Sequence, residues 1–240
     1  MVKKSDSKTR KNQRTKKIQK AVTIINFKAY ENATGDKALE LAKICDFVAK
    51  DVTHDIIIAV QPTDIYRICQ EVTIPVYSQH IDPVNFGSHT GHITPEAVRA
   101  AGATGTLLNH SEKRLRLDVL EESIKRAKDN GLKTVVCAND AVLGQAVCSM
   151  EPDFIAVEPP ELIGGNISVS SAKPEIVKES VKRVGGYSER KNLLVGAGIK
   201  SNKDYKKSIQ LGAVGVLVAS GITKAKNPKL KLKQLIKDIR

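Results

Sequence analysis

A carboxylate closes an apolar run in the second half of the chain. Asp153-Phe154-Ile155-Ala156-Val157 leads into Glu158, and Pro159-Pro160-Glu161-Leu162-Ile163-Gly164-Gly165 follows at once. An acid at the tip of a buried strand is held against apolar neighbours, which raises its pKa and suits it to moving a proton near neutral pH. The Pro- and Gly-bounded loop beside it has the make-up of a segment that closes over a substrate. A lone Glu after a strand is more often a solvated loop acid, so its meaning depends on which other groups share its end of the molecule.

Three other sets of residues stand after apolar runs. Asn26 and Lys28 follow Val22-Thr23-Ile24-Ile25 and are two apart, so an extended chain points both to one face and Phe27 to the other. A lysine there needs a carboxylate or an anionic ligand to offset its burial. His110 follows Thr106-Leu107-Leu108-Asn109 and opens His110-Ser111-Glu112-Lys113-Arg114; it is the only one of the five histidines so placed, although a single histidine is more often structural. Gly196-Ala197-Gly198 and Ala219-Ser220-Gly221 end two late apolar runs. Glycines at such turns let backbone N–H groups approach an anion, and a helix starting just beyond adds its positive end. His80, His89 and His92 match no common zinc spacing and have no cysteine nearby, so their long loop reads better as a contact with another subunit than as a ligand cage.

The elements that must position these groups alternate. Short β-branched runs at Val22 to Phe27, Asp55 to Val60, Ile74 to Ser78, Thr104 to Leu108, Thr134 to Ala138, Phe154 to Val157, Asn192 to Val195 and Ala213 to Val218 are separated by helix-like stretches. Lys37 to Lys50, Val119 to Asn130, Pro174 to Val184 and Asn202 to Leu211 have helical apolar periodicity, and Pro62, Pro95 and Pro174 stand where helices begin. Eight strand and helix units of roughly 27 residues each predict a parallel (β/α)8 barrel, with an open doubly wound sheet as the alternative. In such a barrel reactive groups belong at the strand ends, and the last two loops commonly hold a phosphate.

With 240 residues and 41% hydrophobic content the chain can fill one core, expected over residues 21 to 240. Nine Lys or Arg against Asp6 in the first 20 residues account for +8 of the net +13, leaving +5 for the rest. That tail, with almost nothing apolar, is expected to be disordered. Its charge suits nucleic acid, but it has no aromatic residue to stack on bases and no motif. Cys45, Cys69, Cys137 and Cys148 lack paired spacing, which points to a reducing cytoplasm, and no run has the length of a membrane span or the character of a secretory signal.

Taken together, Asn26-Phe27-Lys28, Gly87-Ser88-His89-Thr90-Gly91, Asn109 to Arg114, Val157 to Gly164, Gly196-Ala197-Gly198-Ile199 and Gly215 to Gly221 closely resemble, in family order, the triosephosphate isomerases, and specifically their short archaeal form. The resemblance spans residues 22 to about 226. It implies interconversion of dihydroxyacetone phosphate and D-glyceraldehyde 3-phosphate in glycolysis and gluconeogenesis; these enzymes are a familiar illustration of pKa tuning, in which a carboxylate base works beside a neutral imidazole. It implies Glu158 as the base, neutral His110 as hydrogen-bond donor to the carbonyl, and Lys28 as the cation beside phosphate and oxyanion. Asn26 and Phe27 flank the substrate, Ile163 belongs to a lid over Pro159 to about Ser171, and Gly198, Ala219 and Ser220 complete the phosphate cradle. Glu112 would pair with Lys28, and Ser111 would tether Glu158 before the lid closes. The resemblance implies no metal or organic cofactor, and a homotetramer. Where the family lid ends in Gly-Thr-Gly this chain has Gly164-Gly165-Asn166, and the basic tail lies outside the pattern. A barrel acting on a larger sugar phosphate, and a nucleic-acid-associated protein with a vestigial barrel, are the competing readings.

Overall fold

Eight parallel strands follow one another around a closed sheet in the computed structural model, which describes residues 20–159, 162, 169–185 and 192–239. They are β1 (Val22–Asn26), β2 (Asp55–Val60), β3 (Val76–Ser78), β4 (Gly105–Leu108), β5 (Lys133–Ala138), β6 (Phe154–Val157), β7 (Leu193–Val195) and β8 (Gly215–Val218). Each expected run is a strand to within two residues at either end. β8 pairs back onto β1, from Val22↔Gly215 to Ile25↔Val218, so the sheet has no free edge and the open-sheet alternative falls. Apart from Lys20, the basic tail lies outside the described residues.

Helices on the outside connect the strands. They are α1 (Asp36–Ala49), α2 (Pro62–Cys69), α3 (Pro95–Ala100), α4 (Leu117–Asp129), α5 (Ala141–Cys148), α6 (Val169–Ala172), α7 (Pro174–Gly185), α8 (Asn202–Gln210), α9 (Ser220–Thr223) and α10 (Pro228–Leu235). The prolines stand at the first turns of α2, α3, α7 and α10, where a missing N–H costs nothing. Ser201 and Asp204 cap α8 reciprocally, satisfying two of its orphan donors. Among the described residues no helix is long and apolar enough to cross a membrane.

Period-two alternation sorts the strand residues into two cores. Val22, Ile24, Ile57, Ala59, Tyr77, Leu107, Val135, Cys137, Ala156, Leu194 and Leu217 fill the barrel, while Ile25, Phe27, Ile56, Ile58, Leu108, Val136, Ile155, Val157, Val195 and Val218 face the helices. Burying each such aliphatic side chain contributes about 1.5–3 kcal/mol. Interior volume is matched by small partners: a Cβ on Gly105 would lie 2.5 Å from the Tyr77 ring across the β3–β4 register. At the foot of the barrel, fully buried Tyr205 from α8 donates to Val22 O at 2.9 Å and lies 3.0 Å from Thr23 Oγ1. The ring of buried His54 meets it edge-on, with centroids 6.5 Å apart.

The loop that carries the three clustered histidines is closed at its base by Asp82, whose carboxylate accepts from Ile93 N at 2.7 Å and lies 3.0 Å from His80 Nε2. His89 and His92 stack edge to face, and Phe86 at the tip is 80% exposed. Among the described residues no three His, Cys, Asp or Glu side chains converge as a metal site.

Candidate active site

Asn26, Lys28, His110, Glu158, Gly198, Ala219 and Ser220 line one pocket at the carboxyl end of the barrel. The way each arrives there follows from its strand. Val22 and Ile24 face the barrel interior, so Asn26 does too, and its Oδ1 accepts from Lys28 N at 2.9 Å. That bond helps hold Lys28 at φ 52°, a left-handed conformation that costs a non-glycine residue about 1–2 kcal/mol. Gln79 Nε2 donates to Lys28 O at 3.0 Å and fixes the other side of the same turn. Lys28 Nζ then meets Glu112 Oε1 at 2.7 Å with its side chain 10% exposed, so the expected pair is present.

His110 reaches the pocket by a break in alternation. Leu107 faces inward and Leu108 outward, so a continued strand would turn His110 toward the helices. Asn109 instead has φ 57°, with its amide Nδ2 donating to Cys137 O at 3.0 Å and its Oδ1 accepting from Leu115 N at 2.9 Å. Asparagine tolerates this conformation because its short side chain bonds locally. His110 Nδ1 then accepts the backbone N–H of Glu112 at 3.1 Å, so this nitrogen carries no proton and the ring hydrogen sits on Nε2. Nε2 is 3.7 Å from Glu158 Oε2.

Glu158 follows inward-facing Ala156 at a two-residue interval, and its N–H extends the ladder to Ala138 O at 2.8 Å. The residue is 4% exposed, and Oε2 has no hydrogen-bond partner among the described residues. Burial pushes its pKa up, against the opposing pull of His110, the Cys137 thiol, Lys28 and Arg114. The same proximity holds the Cys137 thiol well above its ordinary pKa, first through burial and then through the Glu158 charge. Gly196, just past β7 and beside Glu158, makes room for it: a Cβ there would sit 2.4 Å from Glu158 Cγ.

The last two turns supply the anion-facing wall. Gly198 has φ 69° and α8 begins just after it. Among the described residues the N–H groups of Gly198, Ala219 and Ser220 find no carbonyl acceptor, and all three residues line the pocket. Tyr30, Gly196, Ile199, Lys200, Leu217, Val218 and Gly221 also line it.

Two expected contacts are not seen among the described residues. Phe27 does not line the pocket: it is fully buried in the outer core, because alternation turns it away from Asn26 and Lys28. Ser111 makes no bond to Glu158 here; His110 and Cys137 face that carboxyl instead. Ile163 and the Gly164-Gly165-Asn166 departure lie outside the described residues. Of the lid, Pro159, Leu162 and the start of α6 are described, where Ser170 Oγ donates to Asp204 O at 3.2 Å and ties the distal end of this segment to α8.

Comparison with known proteins agrees across the whole barrel. The triosephosphate isomerase family model matches residues 21–239. The triosephosphate isomerase of Archaeoglobus fulgidus is 48% identical over 215 residues, covering 90% of this chain and 96% of that protein. That of Methanocaldococcus jannaschii is 47% identical over 216 residues, covering 90% and 99%. The crystal structure of the Bartonella henselae triosephosphate isomerase superposes with a TM-score of 0.69 at 18% identity, covering 89% of this chain and 98% of that one, and shares the fold.

Proposed function

The chain belongs to the triosephosphate isomerase family and interconverts dihydroxyacetone phosphate and D-glyceraldehyde 3-phosphate in glycolysis and gluconeogenesis, and we propose that it does so with Glu158, His110 and Lys28. Glu158 takes a proton from C1 of dihydroxyacetone phosphate, leaving an enediolate, and returns one to C2 to give the aldehyde. His110 donates its Nε2 hydrogen to the substrate oxygen as negative charge builds there. A neutral imidazole suits that task because its acidity lies nearer to an enediol's than an imidazolium's does. Lys28 supplies the positive charge opposite phosphate and oxyanion, and the amides of Gly198, Ala219 and Ser220 hold the phosphate. Only side chains and backbone amides take part.

The observation that carries this reading is the convergence of the three groups on one pocket walled by acceptor-free amides. The Nδ1 contact from Glu112 N supports the neutral donor role of His110, and the burial of Glu158 with one partnerless oxygen supports a reactive base. The direct test is a coupled assay on glyceraldehyde 3-phosphate with Glu158→Gln beside the parent. Turnover should fall by at least about a thousandfold, with inorganic phosphate still competing; unchanged turnover sinks the assignment.

The reading extends to assembly and setting. We take residues 21 to 240 as one catalytic barrel, residues 1 to 20 as an extension to it, and the protein as a cytoplasmic homotetramer of the short archaeal type. The exposed Phe86 at the tip of a 13-residue loop supports a subunit contact, and the four free cysteines support a reducing compartment. A monomer by light scattering at micromolar concentration would refute the assembly.

A further inference from the structure

The C-terminal stretch from Thr223 onward carries seven cations, Lys224, Lys226, Lys229, Lys231, Lys233, Lys237 and Arg240, against Asp238. The structure separates four of the lysines by what they face. Lys229 and Lys233 lie over the Phe47 ring, 3.7 and 5.4 Å from its centroid, and Lys233 also pairs with Asp51 at 2.8 Å. Lys224 and Lys231 turn to another side and, with Lys200, Ser220, Gly221 and Ala225, line an open recess of about 400 Å³. Among the described residues no acid lines this recess, and neither Lys224 nor Lys231 has a carboxylate within 4 Å. The Lys224 ammonium sits 4.1 Å from the centroid of Tyr30, a residue of the catalytic pocket. Lys200, Ser220 and Gly221 belong to both cavities, so the recess opens beside the wall that faces the substrate phosphate.

Two lysines lining one recess with no described carboxylate beside them make it electropositive, and a dianion held there gains attraction from both. We propose that the recess is a second phosphate site, and that small metabolites carrying two phosphates, such as bisphosphorylated sugars and sugar acids, inhibit by bridging the two cavities. One phosphate takes the catalytic cradle and the other lies between Lys224 and Lys231. A triose monophosphate fills only the first. The tether makes the second contact intramolecular, so even two partly solvated ion pairs strengthen binding about tenfold. This inference rests on the reading of the catalytic cradle given above.

The experiment measures competitive inhibition by the mono- and bisphosphates of propane-1,3-diol, butane-1,4-diol and hexane-1,6-diol at fixed ionic strength. It uses the full chain, Lys224→Ala/Lys231→Ala, and Lys226→Ala/Lys229→Ala, which removes the same charge elsewhere. At least one bisphosphate should bind ten times more tightly than its monophosphate. That advantage should fall below threefold in the first double variant and persist in the second, with kcat and KM for glyceraldehyde 3-phosphate unchanged in both. Equal inhibition by mono- and bisphosphates at every length overturns the second site, as does an advantage that survives in Lys224→Ala/Lys231→Ala or is lost equally in both variants. If the monophosphates themselves fail to compete, the cradle reading falls first and the inference with it.

Discussion

Gly196→Ala puts the placement of Glu158 to a quantitative test. The added Cβ would stand 2.4 Å from Glu158 Cγ, 2.8 Å from Cδ and 2.7 Å from Oε1, where ordinary contact begins at 3.4 Å. The carboxyl must therefore retreat by about 1 Å, and a displacement of that size at a reacting group costs about a hundredfold in rate, or about 2.7 kcal/mol of barrier. It has little freedom to swing elsewhere, since it is buried between His110 Nε2 at 3.7 Å and the Cys137 thiol. The cradle amides lie on other residues, so the KM for glyceraldehyde 3-phosphate and the inhibition constant of inorganic phosphate should stay within about twofold of the parent. Gly144→Ala serves as the control: there the nearest atoms stand 3.8 Å away inside α5, so activity should hold and stability rise by up to about 1 kcal/mol. Steady-state kinetics on the three proteins decides the matter. A Gly196→Ala enzyme that keeps kcat within threefold refutes the claim that this glycine sets the position of the base.

The raised pKa of Glu158 has a thermal consequence. Below its ordinary pKa of 4.5 the acid is protonated whether the chain is folded or not; above it, the unfolded chain releases a proton that the buried group retains until its own higher pKa is passed. The folded state binds more protons across that window, so this residue lowers stability as pH rises and then levels off. Glu158→Gln should accordingly gain melting temperature over the parent with rising pH across the window, measured by calorimetry, and a constant offset at all pH values would contradict it. At the opposite end of the barrel, Tyr205→Phe removes the buried hydroxyl that bonds Val22 O and Thr23 Oγ1 and should cost about 1–3 kcal/mol, lowering the melting temperature by about 2–12 °C. Its kcat should match the parent's, because no group of the pocket touches Tyr205; a kcat loss beyond threefold would show that foot and mouth of the barrel are coupled.

How far the site could be read in advance depended on where the chain keeps to regular alternation. Asn26 and Glu158 continue the inward parity of Ile24 and Ala156, so a strand pattern alone points them at the substrate. The same rule assigns Phe27 to the outer core, and its inclusion among substrate contacts followed the family motif rather than the geometry. Lys28 keeps the inward parity although it stands at a left-handed φ, whereas His110 escapes the rule through left-handed Asn109, which interrupts the strand. Those turns are held by side-chain bonds, from Asn26, Gln79 and Asn109, most of whose partners are distant in sequence. Cys137 was legible in principle, since it shares the inward face of β5 with Val135, but its meeting with Glu158 needs the β5–β6 register. Gly196 gave a turn signal; its second role, as empty space under a carboxyl, appears only when β6 and β7 lie side by side.

Glu112 serves the pocket twice through two different parts of itself. Its side chain holds Lys28, while its main-chain N–H sets which nitrogen of His110 carries hydrogen. Mutation can take away the first contribution but every residue except proline keeps the second. Drift at this position can therefore loosen the cation while the main-chain donor to the imidazole stays in place, whereas inserting or deleting one residue in the turn disturbs both together. Selection on the two functions is separable by substitution and inseparable by length.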